Sequence, residues 1–238
     1  MTATAMLLSF PATTHAALLN SGFESVSFQD WKLNIPRGTS ESAPRNRLAG
    51  TAEVTSMWGQ QTGMSQLRSA VEGNYFAVLG SLADGKFSGN RTYNITLTRS
   101  IHLLAGETVS GSSFFYNGDY QAQDSAWVKI LDGDGCPIAQ PWLEVSGSSR
   151  TRLPNSTPYR TASLWAEWSW QAPVESDYAL SLGVTTGGDN NMPSYGFFDD
   201  IVIQAATGIA PVPEPSSLAL VVIGAAGIAA LRRKSKQS

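Results

Sequence analysis

The sequence predicts an all-β chain, an antiparallel sandwich followed by a short hydrophobic helix at the C-terminus. Two observations carry the sandwich. Apolar and polar residues alternate with period two in several runs, as half-buried strands require, and Gly-rich turn chemistry separates those runs with no sustained 3.6-residue period in the middle of the chain. An uncharged stretch near the end carries the helix.

In chain order, residues 1–16 read as a signal peptide. A short apolar stretch, 5–10, precedes Thr14-His15-Ala16, whose small residues suit signal-peptidase cleavage after Ala16. No Lys or Arg precedes that stretch, so this start reads as internal to a longer signal peptide. Residues 17–204 form the sandwich domain. Its weakest strand pattern lies at 38–67, which is polar and rich in Ser, Thr, Arg and Gln. Ile95 and Leu97 alternate with Thr96 and Thr98; Ala126, Val128 and Ile130 with Trp127, Lys129 and Leu131; Tyr178, Leu180, Leu182 and Val184 with Ala179, Ser181, Gly183 and Thr185. Turns are expected at 105–107, 117–119, 132–135 and 187–191. The segment 137–149 reads as a loop. Residues 205–217, rich in Ala and Pro, form a linker, and 218–238 hold the helix and a basic tail.

The uncharged run 218–231 rises only about 21 Å as a helix, short of the roughly 30 Å hydrocarbon core. Arg232, Arg233 and Lys234 follow it and are expected to stay cytoplasmic, which puts the preceding domain outside. Without the tail's Arg232, Arg233, Lys234 and Lys236, 12 basic residues remain against 19 acidic ones, a net charge of about −7 for the exported part. That excludes nucleic acid and anionic membrane surfaces as natural partners. Cys136 is the only cysteine, so no intrachain disulfide forms despite the oxidising destination.

The triplet Pro213-Glu214-Pro215, the short apolar run and the terminal basic cluster together resemble the PEP-CTERM sorting signal of bacterial surface proteins. The resemblance implies an exosortase that cuts near the triplet, making the helix a temporary hold. A second resemblance lies in the domain. Leu18-Leu19-Asn20-Ser21-Gly22-Phe23-Glu24 with Phe28 and Trp31, and Gly196-Phe197-Phe198-Asp199-Asp200-Ile201-Val202-Ile203, resemble the opening and closing strands of galactose-binding-like jelly-roll domains, which include many carbohydrate-binding modules. Glu72-Gly73-Asn74-Tyr75-Phe76-Ala77-Val78-Leu79 and Gly118-Asp119-Tyr120 with Asp124 are similar to stretches of PEP-CTERM ectodomains. The second of these has Gln123 where Asn is usual.

In such jelly rolls the Glu of the opening motif and an Asp of the closing strand meet around a structural Ca²⁺, which implies Glu24 with Asp199 or Asp200 here. Hard oxygen ligands suit that cation, and a weak site suffices in millimolar calcium. Alternation puts Asp199 on the face of Ile201 and Ile203, hence inward, and makes it the first choice; a solvated strand end is the other reading. Asp119 and Asp124 are read as turn residues, and Asp132-Gly133-Asp134-Gly135 as a hairpin tip, since it lacks the later Glu of an EF-hand. Trp170 is expected in the core on the face it shares with Trp168, whereas Trp142 and Tyr159 are the candidates for an exposed sugar-stacking platform.

No catalytic arrangement assembles. His102 is the only histidine left after the signal, no Gly-x-Ser-x-Gly elbow or phosphate loop occurs, and one histidine with one cysteine does not make a zinc site. Glu167 with Glu175 is the pair a glycosidase reading would invoke. The expected function is a non-catalytic surface or exopolysaccharide-matrix structural protein, processed by signal peptidase and exosortase. A glycan-binding module is the alternative and a hydrolase the third reading.

Overall fold

The alternation read from the sequence becomes two sheets in the computed structural model, which describes residues 22–36, 50–58, 67–81, 93–118, 124–147, 155–186 and 193–206. The strands are β1 (Lys32–Asn34), β2 (Gly50–Thr55), β3 (Met57–Trp58), β4 (Arg68–Ser69), β5 (Phe76–Ser81), β6 (Tyr93–Leu103) and β7 (Thr108–Asn117). They continue with β8 (Ser125–Leu131), β9 (Pro137–Ser146), β10 (Ser156–Thr157), β11 (Thr161–Ala162), β12 (Ala166–Gln171), β13 (Ser176–Thr186) and β14 (Tyr195–Gln204). One sheet runs β1-β6-β13-β8-β9-β10 and the other β11-β7-β14-β5-β2, with β12 also paired to β7. Pairing is antiparallel except between β9 and β10. From β5 to β8 each strand lies in the sheet opposite its predecessor, and β12, β13 and β14 alternate in the same way, which is the winding of a jelly roll. The signal peptide, the 205–217 linker beyond Ala206, the sorting triplet and the C-terminal helix lie outside the described residues.

The expected inward residues pack as expected. Ile95 and Leu97 of β6, Leu180, Leu182 and Val184 of β13, and Ala126, Val128 and Ile130 of β8 share one core with Leu79 of β5, Phe115 of β7 and Phe198 of β14. Trp168 joins that core, and Trp170 packs against it, edge-on to Tyr178 with ring centroids 5.1 Å apart. A second cluster lies on the opposite face of the β7-β14-β5 sheet. There Phe114 and Phe197 stack at 3.9 Å, and Trp58 from β3 meets Phe197 at 4.6 Å. The short β3-β4 ribbon therefore covers an aromatic face that the sandwich leaves outside.

One expectation is corrected. Residues 137–146 are a strand, β9, and Trp142 is 6% exposed, edge-on to Phe198 in the core. It is no sugar platform: the two prolines made the segment read as a loop, yet Trp142 pairs with Val128 and points inward with it. The weak stretch 38–67 also holds β2 and β3, built around Glu and Thr residues that period-two counting passes over. The turn at 132–135 is the hairpin tip expected. Asp132 Oδ1 accepts hydrogen bonds from Asp134 N at 3.1 Å and Cys136 N at 2.8 Å, while Gly135 takes φ +82°, where a side chain is disfavoured.

On the outer face of the other sheet, Trp127 lies flat over Gly183, held by Nε1 donating to Thr185 Oγ1 at 3.0 Å, with Lys129 Nζ 4.1 Å from the ring centre. A Cβ on Gly183 would fall on that ring. Gly183→Ala is therefore expected to destabilise the full chain by about 1–3 kcal/mol, as overpacking does, measured as a lower urea midpoint at unchanged m-value. An unchanged midpoint would show that the ring is free to lift.

Candidate functional site

The first described turn and the last strand are joined through a third segment, the 71–75 loop between β4 and β5. Glu24 Oε1 accepts hydrogen bonds from Asn74 N and Tyr75 N, both at 2.9 Å. Asp199 Oδ2 accepts from Val71 N at 2.7 Å and Glu72 N at 3.3 Å, and its Oδ1 accepts from Asp200 N at 2.8 Å. Gly73 makes the loop's approach possible. It sits at φ +64°, and a Cβ there would strike the Glu24 carboxylate.

Gly22 lies where three acidic side chains converge. A Cβ placed on it would meet Asp199 Oδ1 and Glu72 Oε2 at 3.6 Å each and Glu24 Cγ at 3.8 Å. Glu72 was not singled out from sequence; its place inside the quoted Glu72-Gly73-Asn74-Tyr75 motif was the available signal. Among the described residues no three Asp, Glu, His or Cys side chains are grouped closely enough to form a ready metal centre. The clasp is closed by backbone N–H groups.

Asp199 is fully buried. Burial pushes its carboxyl up from 3.8 to about 6, against the opposing pull of the Val71, Asp200 and Glu72 N–H groups and with a further push from the Asp200 charge. The inward placement expected from alternation is corrected, because the alternation breaks at a β-bulge. Asp199 pairs with Ser112 and Val202 with Ser110, so two residues of β14 face one residue of β7. Phe198 and Ile201 both enter the core, and Asp199 falls on the outer side with Phe197. What buries it is the overlying loop and turn, not the sandwich interior.

Asp200, at φ +52°, turns away to line a groove of about 540 Å³ on the outer face of β12, β7 and β14. Ser110, Ser112, Ser169, Glu167 and Gln204 line it with Asp200, over Gly111, Trp168 and Val202. The Ser-Gly-Ser-Ser run at 110–113, small hydroxyl residues in a strand, was the sequence signal for it.

The remaining candidates are dispersed. Tyr159 is half-buried, with the Arg160 guanidinium 5.2 Å from its ring centre. His102 is exposed, its Nδ1 2.8 Å from Asp177 Oδ1 and its Nε2 3.6 Å from Glu175 Oε1. The Asp177 hydrogen bond raises its pKa from 6.5 against partial desolvation, helped by the Asp177 and Glu175 charges. Glu175 thus stands beside His102 on one sheet while Glu167 lines the groove on the other. Asp124 lies in a buried turn contact, its N–H donating to Ser146 Oγ at 3.0 Å and its carbonyl accepting from Ser146 N at 2.8 Å. Asp119, like Pro213, Glu214 and Pro215, lies outside the described residues.

Comparison with known families bears on the tail. Residues 211–234 match the PEP-CTERM protein-sorting motif. The chain thus carries the C-terminal sorting signal of an exported protein. No curated protein matches the sequence. Among solved structures the chain is similar to a carbohydrate-binding module determined in complex with β-1,4-galactotriose, at 16% identity and TM-score 0.40 over 79% of this chain and 96% of that one. It is also similar to the K1 cleaved adhesin domain of Lys-gingipain from Porphyromonas gingivalis, at 14% and 0.45 over 77% and 95%. The CBM22-1 xylan-binding domain from Paenibacillus barcinonensis Xyn10C is a third, at 15% and 0.38 over 80% and 93%.

The raised Asp199 pKa fixes the sign of a pH effect. The folded state holds this proton more tightly than the unfolded chain, so without added cation stability rises as pH falls from about 7 through 6 toward 4. The gain reaches about 3 kcal/mol once the pH lies below both values. His102 contributes with the same sign, so the comparison is made against Asp199→Asn, which is expected to flatten most of the slope in chelator. Parallel slopes in the two proteins would remove Asp199 from the account.

Proposed function

We propose that the chain is an exported bacterial protein, cut by signal peptidase and by an exosortase, and retained at the cell surface or in the exopolysaccharide matrix as a non-catalytic structural protein. The single observation that carries this reading is the sorting motif at 211–234. Its order of triplet, thin span and basic end would hold the chain in the membrane only until processing. The non-catalytic part draws support from the dispersal of the sequence candidates: His102 sits on an open sheet face, and Glu167 and Glu175 lie apart. Deleting residues 213–215 is expected to leave the protein in the inner membrane of a host with an exosortase, whereas intact protein loses its tail. Mass spectrometry finding Arg232 still attached to the mature surface form would sink this reading.

We further propose that Glu24 and Asp199, with Glu72 beside them, hold Ca²⁺ at the clasp. Support comes from the acidic side chains around Gly22, where the Asp199 and Glu72 carboxylates approach beside the Glu24 methylene, and from the buried Asp199, which is penalised when charged, a penalty that a hard cation relieves. Glu24 Oε1 and Asp199 Oδ2 each accept two N–H bonds, so the ion would draw on Asp199 Oδ1, which accepts one and keeps a second lone pair, and on Glu72 Oε2. The ion would neutralise the clasp and tie the opening turn to the closing strand. At a free concentration about 100 times the dissociation constant, a site present only in the folded state stabilises by about 2.7 kcal/mol, a melting shift of roughly 5–10 °C. Asp199→Asn is expected to abolish the shift and Asp132→Asn to leave it intact. A melting temperature indifferent to a chelator and calcium titration of the full chain would return the clasp to N–H bonds alone.

A glycan-binding role is the second reading, favoured by the groove over β12, β7 and β14. Its volume lies within the roughly 300–1,000 Å³ usual for ligand pockets. Glu167 and Asp200 share this groove, so release of shorter oligomers from a bound oligosaccharide would overturn the non-catalytic reading.

A further inference from the structure

The groove has a chemical bias that narrows its ligand. Both ionisable side chains lining it, Glu167 and Asp200, are acidic, and neither Lys, Arg nor His lines it. Ser112 is 3% exposed, on the outward side of β7 with Phe114 and Tyr116, and its hydroxyl makes no hydrogen bond within the protein among the described residues. The hydroxyl opens on the groove, where a ligand polar group can meet it. Ser110 and Ser169 add hydroxyls from the same face, two residues along β7 and across on β12, where Ser169 pairs with Ser110 and Glu167 with Ser112. The bulge that sends Asp199 into the clasp delivers Asp200 to the groove opposite Glu167, across β7. The surface is therefore rich in acceptors and carries two negative charges over a floor of Val202 and the backbone of Gly111 and Trp168, whose ring lies in the core. Its complement is a ligand with many donors and positive charge, spaced to reach two strands that flank a third.

We propose that this groove binds a glycan bearing free amino groups, a deacetylated amino-sugar chain, with protonated amines paired to Glu167 and Asp200 and sugar hydroxyls bonded to the three serines. The proposal rests on the glycan-binding reading and names its substrate class. A neutral sugar offers each carboxylate a hydroxyl donor, charge-assisted on the acceptor side only, whereas an ammonium group adds an opposite full charge and makes the contact an ion pair. Such binding weakens with added salt.

The test uses the full chain in detergent micelles, with calcium present throughout, titrated calorimetrically at about pH 5.5 and low salt with hexaglucosamine and with its fully N-acetylated counterpart. The expected result is binding of the first at least tenfold tighter than the second. Glu167→Gln with Asp200→Asn should lose at least tenfold, and Ser169→Arg, which puts a cation into the groove from an exposed position, should lose as much. Asn tolerates the left-handed backbone at 200, and Asp132→Asn with Asp134→Asn, the same charge change at the hairpin tip, should stay within about twofold. Equal affinity for both oligomers, lost in the groove variants, would overturn the amine preference and leave the glycan-binding reading standing. No binding of either oligomer would overturn both. Binding of hexaglucosamine that falls equally in the groove and hairpin-tip variants would assign it to the acidic surface as a whole and overturn the proposal.

Discussion

Everything at one end of this sandwich depends on backbone N–H groups of a five-residue loop being taken by two carboxylates far apart in sequence. Asp199 reaches Val71 and Glu72, and Glu24 reaches Asn74 and Tyr75. No strand pairing joins the turn at 22–30 to β14, so these charge-assisted bonds do the joining. They also explain why a fully buried aspartate is tolerated outside the main core: it answers donors that a loop passing over a sheet face would otherwise leave unsatisfied. The arrangement carries an electrostatic cost, expressed in the raised Asp199 pKa.

The sheets were legible because their inward faces are aliphatic and strictly alternating. Leu180, Leu182 and Val184, and Ala126, Val128 and Ile130, leave no other reading for β13 and β8. Trp142 was illegible because Pro137 and Pro141 resemble loop punctuation, and only the pairing with β8 reveals that the strand tolerates them at an irregular register. The direction of Asp199 was misread for a related reason. Period two holds only while two strands keep step, and the extra residue between Asp199 and Val202 is invisible in the alternation of one strand alone. The aromatic cluster of Trp58, Phe114 and Phe197 escaped notice because it needs the covering pair β3 and β4, a long-range event with no local signature. The candidate clasp was half-legible, its two ends being quoted motifs while Glu72 and the loop between them follow only from the fold.

The β7-β14 sheet therefore has two outer surfaces of opposite character on one face. Toward β5 it is aromatic and covered; toward β12 it is hydroxylic, acidic and open. The boundary falls at the bulge, where Phe197 ends one and Asp200 begins the other. Gly111 opposite the bulge keeps the backbone close there, since a Cβ would press on the Trp168 ring and lie 3.2 Å from the Asp199 carbonyl oxygen. A single irregularity in pairing thus divides packing from recognition.

The ends of the β1-to-β10 sheet have a consequence for molecules displayed side by side. Among the described residues its flanks are β1, three residues long, and β10, two residues long. A free flank is where a second polypeptide can add as another strand, and short flanks offer too few open N–H and C=O groups to hold one. At high local concentration, copies of this domain would find little foothold on this sheet, whereas β2 and β12, six residues each at the flanks of the other sheet, are where an added strand could pair.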